Sequence, residues 1–129
     1  MCGLIHPGDT FRGMPSDQGV MHLCVVLALD ETVVGAPTAL LVNVTSFRRD
    51  EEQTCVLRPS DPEMHPFITH DSLVLYRRIA EEEQTTVLTW ERAPSVSAEV
   101  LQRMQEGALA SKFVRRRLKG SISRAMQRR

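Results

Sequence analysis

Little in this sequence marks a specialised environment. No apolar run approaches the roughly 18–20 residues that a membrane span needs. The opening Met1-Cys2-Gly3-Leu4-Ile5-His6-Pro7 lacks the basic end and long apolar stretch of a signal peptide. A cytoplasmic protein with no membrane partner is therefore expected. Cysteine is scarce: Cys2, Cys24 and Cys55 are an odd number without CxxC spacing, which argues against a disulfide framework or a zinc finger. Cys24 and Cys55 lie in apolar runs, where a thiol behaves as a small hydrophobe. The chain has no Gly-rich phosphate loop and no GxSxG elbow, so neither nucleotide cradling nor serine-hydrolase chemistry is indicated. Nothing calls for a cofactor, and none is expected. Tyrosine and tryptophan occur once each, as Tyr76 and Trp90, and are read as core or subunit-interface residues.

What is present is an ordinary globular composition, with 42% hydrophobic and 25% charged residues over 129 positions. That length suits one domain with a modest core. A net charge of zero conceals a division. Residues 112–129 carry eight basic side chains and no acid, which leaves eight basic residues against sixteen acids in 1–111. The expected organisation is a body over 1–111 and a basic helical tail over 112–129, with an electrostatic role for the tail.

Strand patterns dominate the first two thirds. Expected strands cover 8–11, 20–29, 39–47, 54–58, 72–76 and 85–91, with loops at 12–19 and 48–53 and turns at 30–38 and 81–84. The runs at 20–29 and 39–47 are apolar almost throughout, as suits central strands buried on both faces and joined as an antiparallel hairpin. Short strands with tight connections point to a small barrel rather than βαβ units. After Pro94 the pattern becomes helical. Ser97 is placed as an N-cap, Glu99 lies in the first turn, and Val96 and Leu101 stand at the positions of a hydrophobic staple. Val114, Leu118 and Ile122, four residues apart, mark a second helix.

The most chemically loaded stretch runs from Asp61 to Tyr76, with His65, His70, nearby acids, Ser72 and Tyr76. Pro62 and Pro66 keep it from helix geometry, so it reads as a shaped loop feeding a strand. His65 and His70 could join Asp61, Glu63 or Asp71 around a metal, but the spacing is looser than zinc signatures, and no metal is expected. His6 is read as incidental.

Taken in order, these pieces resemble the MazF/PemK family of toxin endoribonucleases over residues 6–110. Pro7-Gly8-Asp9-Thr10 resembles the family's first-strand opening, and 22–28 lies where the family has its Arg-Pro strand. Leu41-Val42-Asn43-Val44-Thr45-Ser46 resembles its strand ending in Thr-Ser, 72–79 its later strand, and 97–110 its closing helix. Met64 to Ser72 is similar to a divergent set of MazF-like proteins. The resemblance implies a mainly β fold, a small SH3-like antiparallel barrel with C-terminal helices. It also implies homodimers, an antitoxin partner, and metal-independent cleavage of single-stranded RNA. At the family's catalytic arginine this sequence has His22, while Thr45 matches the second catalytic position.

Cleavage by a ribose 2′-hydroxyl needs a base, an acid, and positive charge at the phosphate. Imidazoles serve as either acid or base near neutral pH. The expected catalytic set is therefore His22, Thr45, His65 and His70, with Arg48 and Arg49 as phosphate stabilisers. Arg115, Arg116, Arg117 and Lys119 of the tail are read as nucleic-acid contacts. The rival is a non-catalytic module on the same barrel that binds nucleic acid or a protein.

Overall fold

The two long apolar runs become the two central strands, and everything else is arranged around their buried faces. The computed structural model of the chain describes residues 4–13, 22–31 and 35–128. Its strands are β1 (Thr10–Gly13), β2 (His22–Asp30), β3 (Thr38–Ser46), β4 (Val56–Leu57), β5 (Ser72–Glu83) and β6 (Glu91–Ala93). They form one antiparallel sheet in the order β4-β5-β3-β2-β1-β6, and β2 and β3 pair from Leu23–Val44 to Asp30–Thr38. The expected mainly β, small barrel with C-terminal helices is what forms, with the sheet curled into a half-barrel. Cys2, residues 14–19 of the first expected loop, residues 20 and 21 of the next strand, 32–34 of the following turn and Arg129 lie outside the described residues.

Alternation along β2 and β3 feeds two cores. Val25, Leu27, Leu40, Val42 and Val44 face one side, and Cys24, Val26, Ala39 and Leu41 face the other with Phe11 and Ile5. Burial on both faces explains the absence of polar alternation in these runs. The first core is roofed by α2 (Ala98–Ala110) and α3 (Arg116–Gln127). Ser97 caps α2 as expected, accepting from the Val100 amide. Val114, Leu118 and Ile122 are buried in the same core, so the basic segment packs through its apolar face. Each such aliphatic side chain stabilises the fold by roughly 1.5–3 kcal/mol.

Two irregularities in the ladder shape the sheet. Between the Val26–Leu41 and Ala28–Leu40 pairs β2 carries one extra residue, Leu27. Its carbonyl accepts from the buried Gln105 of α2 at 2.9 Å, so the helix satisfies a group at the bulge. The second irregularity is larger. Between Asn43–Leu75 and Leu41–Ala80, β5 spends Tyr76 to Ile79 against the single Val42 of β3. Tyr76 turns inward and donates to the Met104 carbonyl at 2.6 Å, over Gly107. A Cβ on Gly107 would come within 2.4 Å of that hydroxyl, which requires glycine there.

Four expectations are corrected. Residues 81–84 are not a turn, because β5 continues to Glu83 through pairs with Thr38, Ala39 and Leu40. β4 pairs with β5 only at Leu73 and Ser72, so the acidic end lies on an open edge where charge is tolerated. Residues 85–91 are not a strand: Gln84–Val87 form a helical turn, α1, followed by turn structure to Trp90. Val87 and Trp90, three apart, both pack on the second core, a helical spacing that extended chain would not give. β1 also begins two residues later than expected, and β4 is only two residues long.

Candidate active site

β2 begins and β3 ends at the same rim of the sheet, so their terminal side chains are neighbours. Leu23 pairs with Val44, and Thr45 and Ser46 pair with Leu73 and Ser72. His22 and Thr45 stand at this rim and line two adjoining hollows. One, of about 240 Å³, is completed by Arg48, Glu51, Leu75, Arg77 and Arg78. The other, of about 260 Å³, adds Ser46, Phe67, Ile68, His70 and Ser72. At ~30 Å³ per liquid water, each holds several waters or a phosphate group.

The first hollow owes its charge to the β5 bulge. With their residues lifted out of the ladder, Arg77 and Arg78 are exposed and reach the rim. Arg77 grips Glu51 through Nε (2.9 Å) and Nη2 (2.8 Å), a paired contact on a carboxylate only 11% exposed. That guanidinium holds the Glu51 carboxyl below its ordinary range. Arg48 and Arg78 make no direct ion pair among the described residues, and with Arg77 they share the field of one carboxylate, Glu51, which leaves the lining with three guanidinium groups against one acid.

The second hollow is lined by no acid, lysine or arginine and carries three hydroxyls, those of Thr45, Ser46 and Ser72. His70 is exposed, and its Nε2 lies 2.9 Å from the Ser46 hydroxyl. Thr69 Oγ1 stands 3.4 Å from its other ring nitrogen. Ser72 donates to the His70 carbonyl at 2.9 Å, and the Phe47 amide donates to Asp71, which pins this end of the loop against β3.

Thus His22, Thr45, His70 and Arg48 of the expected set come together. His65 does not join them. It is 3% exposed, its Nε2 donates to the Pro94 carbonyl at 2.5 Å, and its Nδ1 accepts from the Phe67 amide at 3.0 Å. Burial pushes its pKa below the usual histidine value. With both ring nitrogens engaged by backbone, it ties the loop between β4 and β5 to the segment after β6, the opposite edge of the sheet. Thr10 donates to the same carbonyl, so three parts of the chain meet there. Arg49 is exposed on the loop after β3 and lines neither hollow.

In the tail, Arg115 and Arg116 are exposed and Lys119 is half-buried, away from both hollows. Arg117 is occupied with Glu81 at 2.7 Å. Sequence reasoning missed Arg77, Arg78, Glu51, Ser46 and Phe67. Adjacent arginines inside a strand pattern were a signal, because a regular ladder would send them to opposite faces. Cys24 and Cys55 are buried, which raises their thiols to about 12 and about 11, too high for nucleophilic use. Among the described residues no group of three or more His, Cys, Asp or Glu side chains is placed to hold a metal ion. No helix among them is long and apolar enough to cross a membrane. Compared with known proteins, the chain matches no family model, and no curated protein is significantly similar to it.

Proposed function

We propose that the protein is a MazF/PemK-like endoribonuclease that cuts single-stranded RNA through the ribose 2′-hydroxyl. The observation that carries this reading is the convergence of His22, Thr45 and His70 on one hollow that opens onto a cluster of arginines. One imidazole removes the 2′-hydroxyl proton while the 2′-oxygen bonds to phosphorus. The other protonates the 5′-oxygen as the P–O5′ bond breaks, leaving a 2′,3′-cyclic phosphate and a 5′-hydroxyl. Each such group contributes about 10²–10⁴-fold. Ser46 orients the His70 ring, as a third group orients a catalytic base. Thr45 donates to a non-bridging oxygen, and Arg48 and Arg78 stabilise the charge gathering there. These two guanidinium groups take over the work of the arginine that the family carries where this chain has His22.

The setting in this reading is a cytoplasmic toxin, held by an antitoxin protein and acting as a homodimer. Phe47 and Phe113, each more than a third exposed, supply apolar surface for such contacts. Arg115, Arg116 and Lys119 offset the acidic body and hold RNA phosphates.

One observation favours a second reading. Glu51 places a carboxylate in the arginine hollow and occupies Arg77, which suits a module that binds RNA without cutting it. The test is incubation of purified protein with single-stranded RNA in the presence of a chelator. Cleavage to cyclic phosphate termini, lost in His22→Ala and in all-deoxy substrate, supports the nuclease. RNA that is bound and left intact by the wild type establishes the binding module instead.

A further inference from the structure

An aromatic ring stands open at the rim of the histidine hollow. Phe67 is 45% exposed, yet its position is tightly fixed. Its amide donates to His65 Nδ1, and its ring meets the His65 ring edge-on with centroids 5.0 Å apart. His65 is in turn buried and hydrogen-bonded to Pro94. A mobile surface phenylalanine would need no such support. Over the ring lies the Arg12 guanidinium, 5.5 Å from the centroid, on a side chain 54% exposed and only loosely paired with Glu91 at 3.8 Å.

We propose that Phe67 is a stacking platform for one unpaired nucleobase of a single-stranded nucleic acid threaded through the two hollows. The proposal rests on the ribonuclease reading of the same site and names what that site grips beside the phosphate. Charge favours nucleic acid over an apolar protein segment: the platform is flanked by Arg12 and shares its hollow with His22, at whose other side Arg48 and Arg78 wait for phosphate. At 5.5 Å the guanidinium leaves no room for a base between it and the ring. The base therefore displaces Arg12, whose long side chain then covers the outer face of the base. An exposed cation–π contact is weaker than base–aromatic stacking, so the exchange runs toward the bound base. Duplex RNA, with its bases already stacked, has no such base to give.

The test uses a short 2′-O-methyl oligoribonucleotide, which cannot be cut, and an abasic oligonucleotide of equal length and charge. Wild type is expected to bind the first about tenfold more tightly than the second, the change that stacking of a single base supplies. Phe67→Ala removes that difference and leaves abasic binding unchanged, while Phe67→Trp keeps it and shows quenched indole emission with the base-bearing strand alone. Equal affinity of wild type for the two strands overturns the platform and leaves the phosphate site standing. Weakening of both strands by Phe67→Ala overturns it too, because loop damage then explains the loss. If wild type binds neither strand, the ribonuclease reading falls with it; Phe67→Ala converting a dimer to a monomer would then identify the ring as a contact between copies.

Discussion

His65 and His70 lie five residues apart in one proline-framed loop, and the fold gives them opposite employment. His65 is 3% exposed with both nitrogens committed to backbone, whereas His70 is exposed on the hollow with its nitrogens beside the Ser46 and Thr69 hydroxyls. The same side chain is a structural clasp in one place and a candidate acid–base group in the other. The difference lies in partners: the Pro94 carbonyl and the Phe67 amide hold one ring in the interior, while two exposed side-chain hydroxyls, Ser46 and Thr69, hold the other. A buried polar group must find partners to offset desolvation. An exposed imidazole whose partners are side-chain hydroxyls can exchange them for a substrate, which one bonded to buried backbone cannot.

The comparison breaks most visibly in cleavage rate. His70→Ala is expected to lower RNA cleavage by about 10²–10⁴-fold, the contribution of one acid–base group. Its unfolding midpoint in urea should move by less than about 0.5 kcal/mol equivalent, since the residue is exposed. A variant that cuts at wild-type rate would remove His70 from the mechanism. Loss of stability in place of activity would assign both histidines to the scaffold.

The reciprocal change acts on folding. His65→Ala leaves the Pro94 carbonyl its hydrogen bond from Thr10 but strands the Phe67 amide and vacates the imidazole's space. Roughly 2–3 kcal/mol of stability should be lost, read from urea or thermal unfolding. Cleavage per folded molecule should fall less than in His70→Ala, through slackening of the loop that carries His70. Unchanged stability would mean that the clasp contributes nothing and that the half-barrel is held by its helices alone.

How far this division was readable beforehand depends on distance along the chain. β2 and β3 were legible because burial on both faces leaves long apolar runs, and α2 because Ser97, Glu99 and the Val96–Leu101 staple are local signals. The meeting of His22 with Thr45 was expected from the resemblance to MazF/PemK, and the pairing of Leu23 with Val44 brings both to one rim, where they line the same hollows. The fate of His65 was not legible, because its partner Pro94 is 29 residues away and nothing near His65 announces it. Arg77 and Arg78 escaped notice for a related reason. The bulge that presents them arises where Tyr76 is drawn in toward Met104, a contact 28 residues distant. The misreading of 85–91 is different in kind: its threonines, valine and tryptophan are strand formers by composition, and the packing of Val87 and Trp90 on one core, which selects the helical turn, is set by contacts with distant strands.

The smallest effect is the pH dependence of stability that the buried His65 brings. Burial holds the folded-state pKa of His65 below its ordinary 6.5. The unfolded chain therefore takes up a proton before the folded one does, and stability falls as pH drops below about 6.5. The loss continues until the folded-state value is reached, at no more than about 1.4 kcal/mol per pH unit for a single proton. Glu51 and Asp61 have carboxyls held below 4.5 and 3.8, so their contribution is lost only at more acid pH than that of His65. Urea midpoints at pH 7.5 and 5.5 should thus differ in wild type. In His65→Gln, which cannot titrate, the two midpoints should draw together. If His65→Gln keeps the full pH dependence, a different group carries it, and the clasp is not the protonation-sensitive element of this loop.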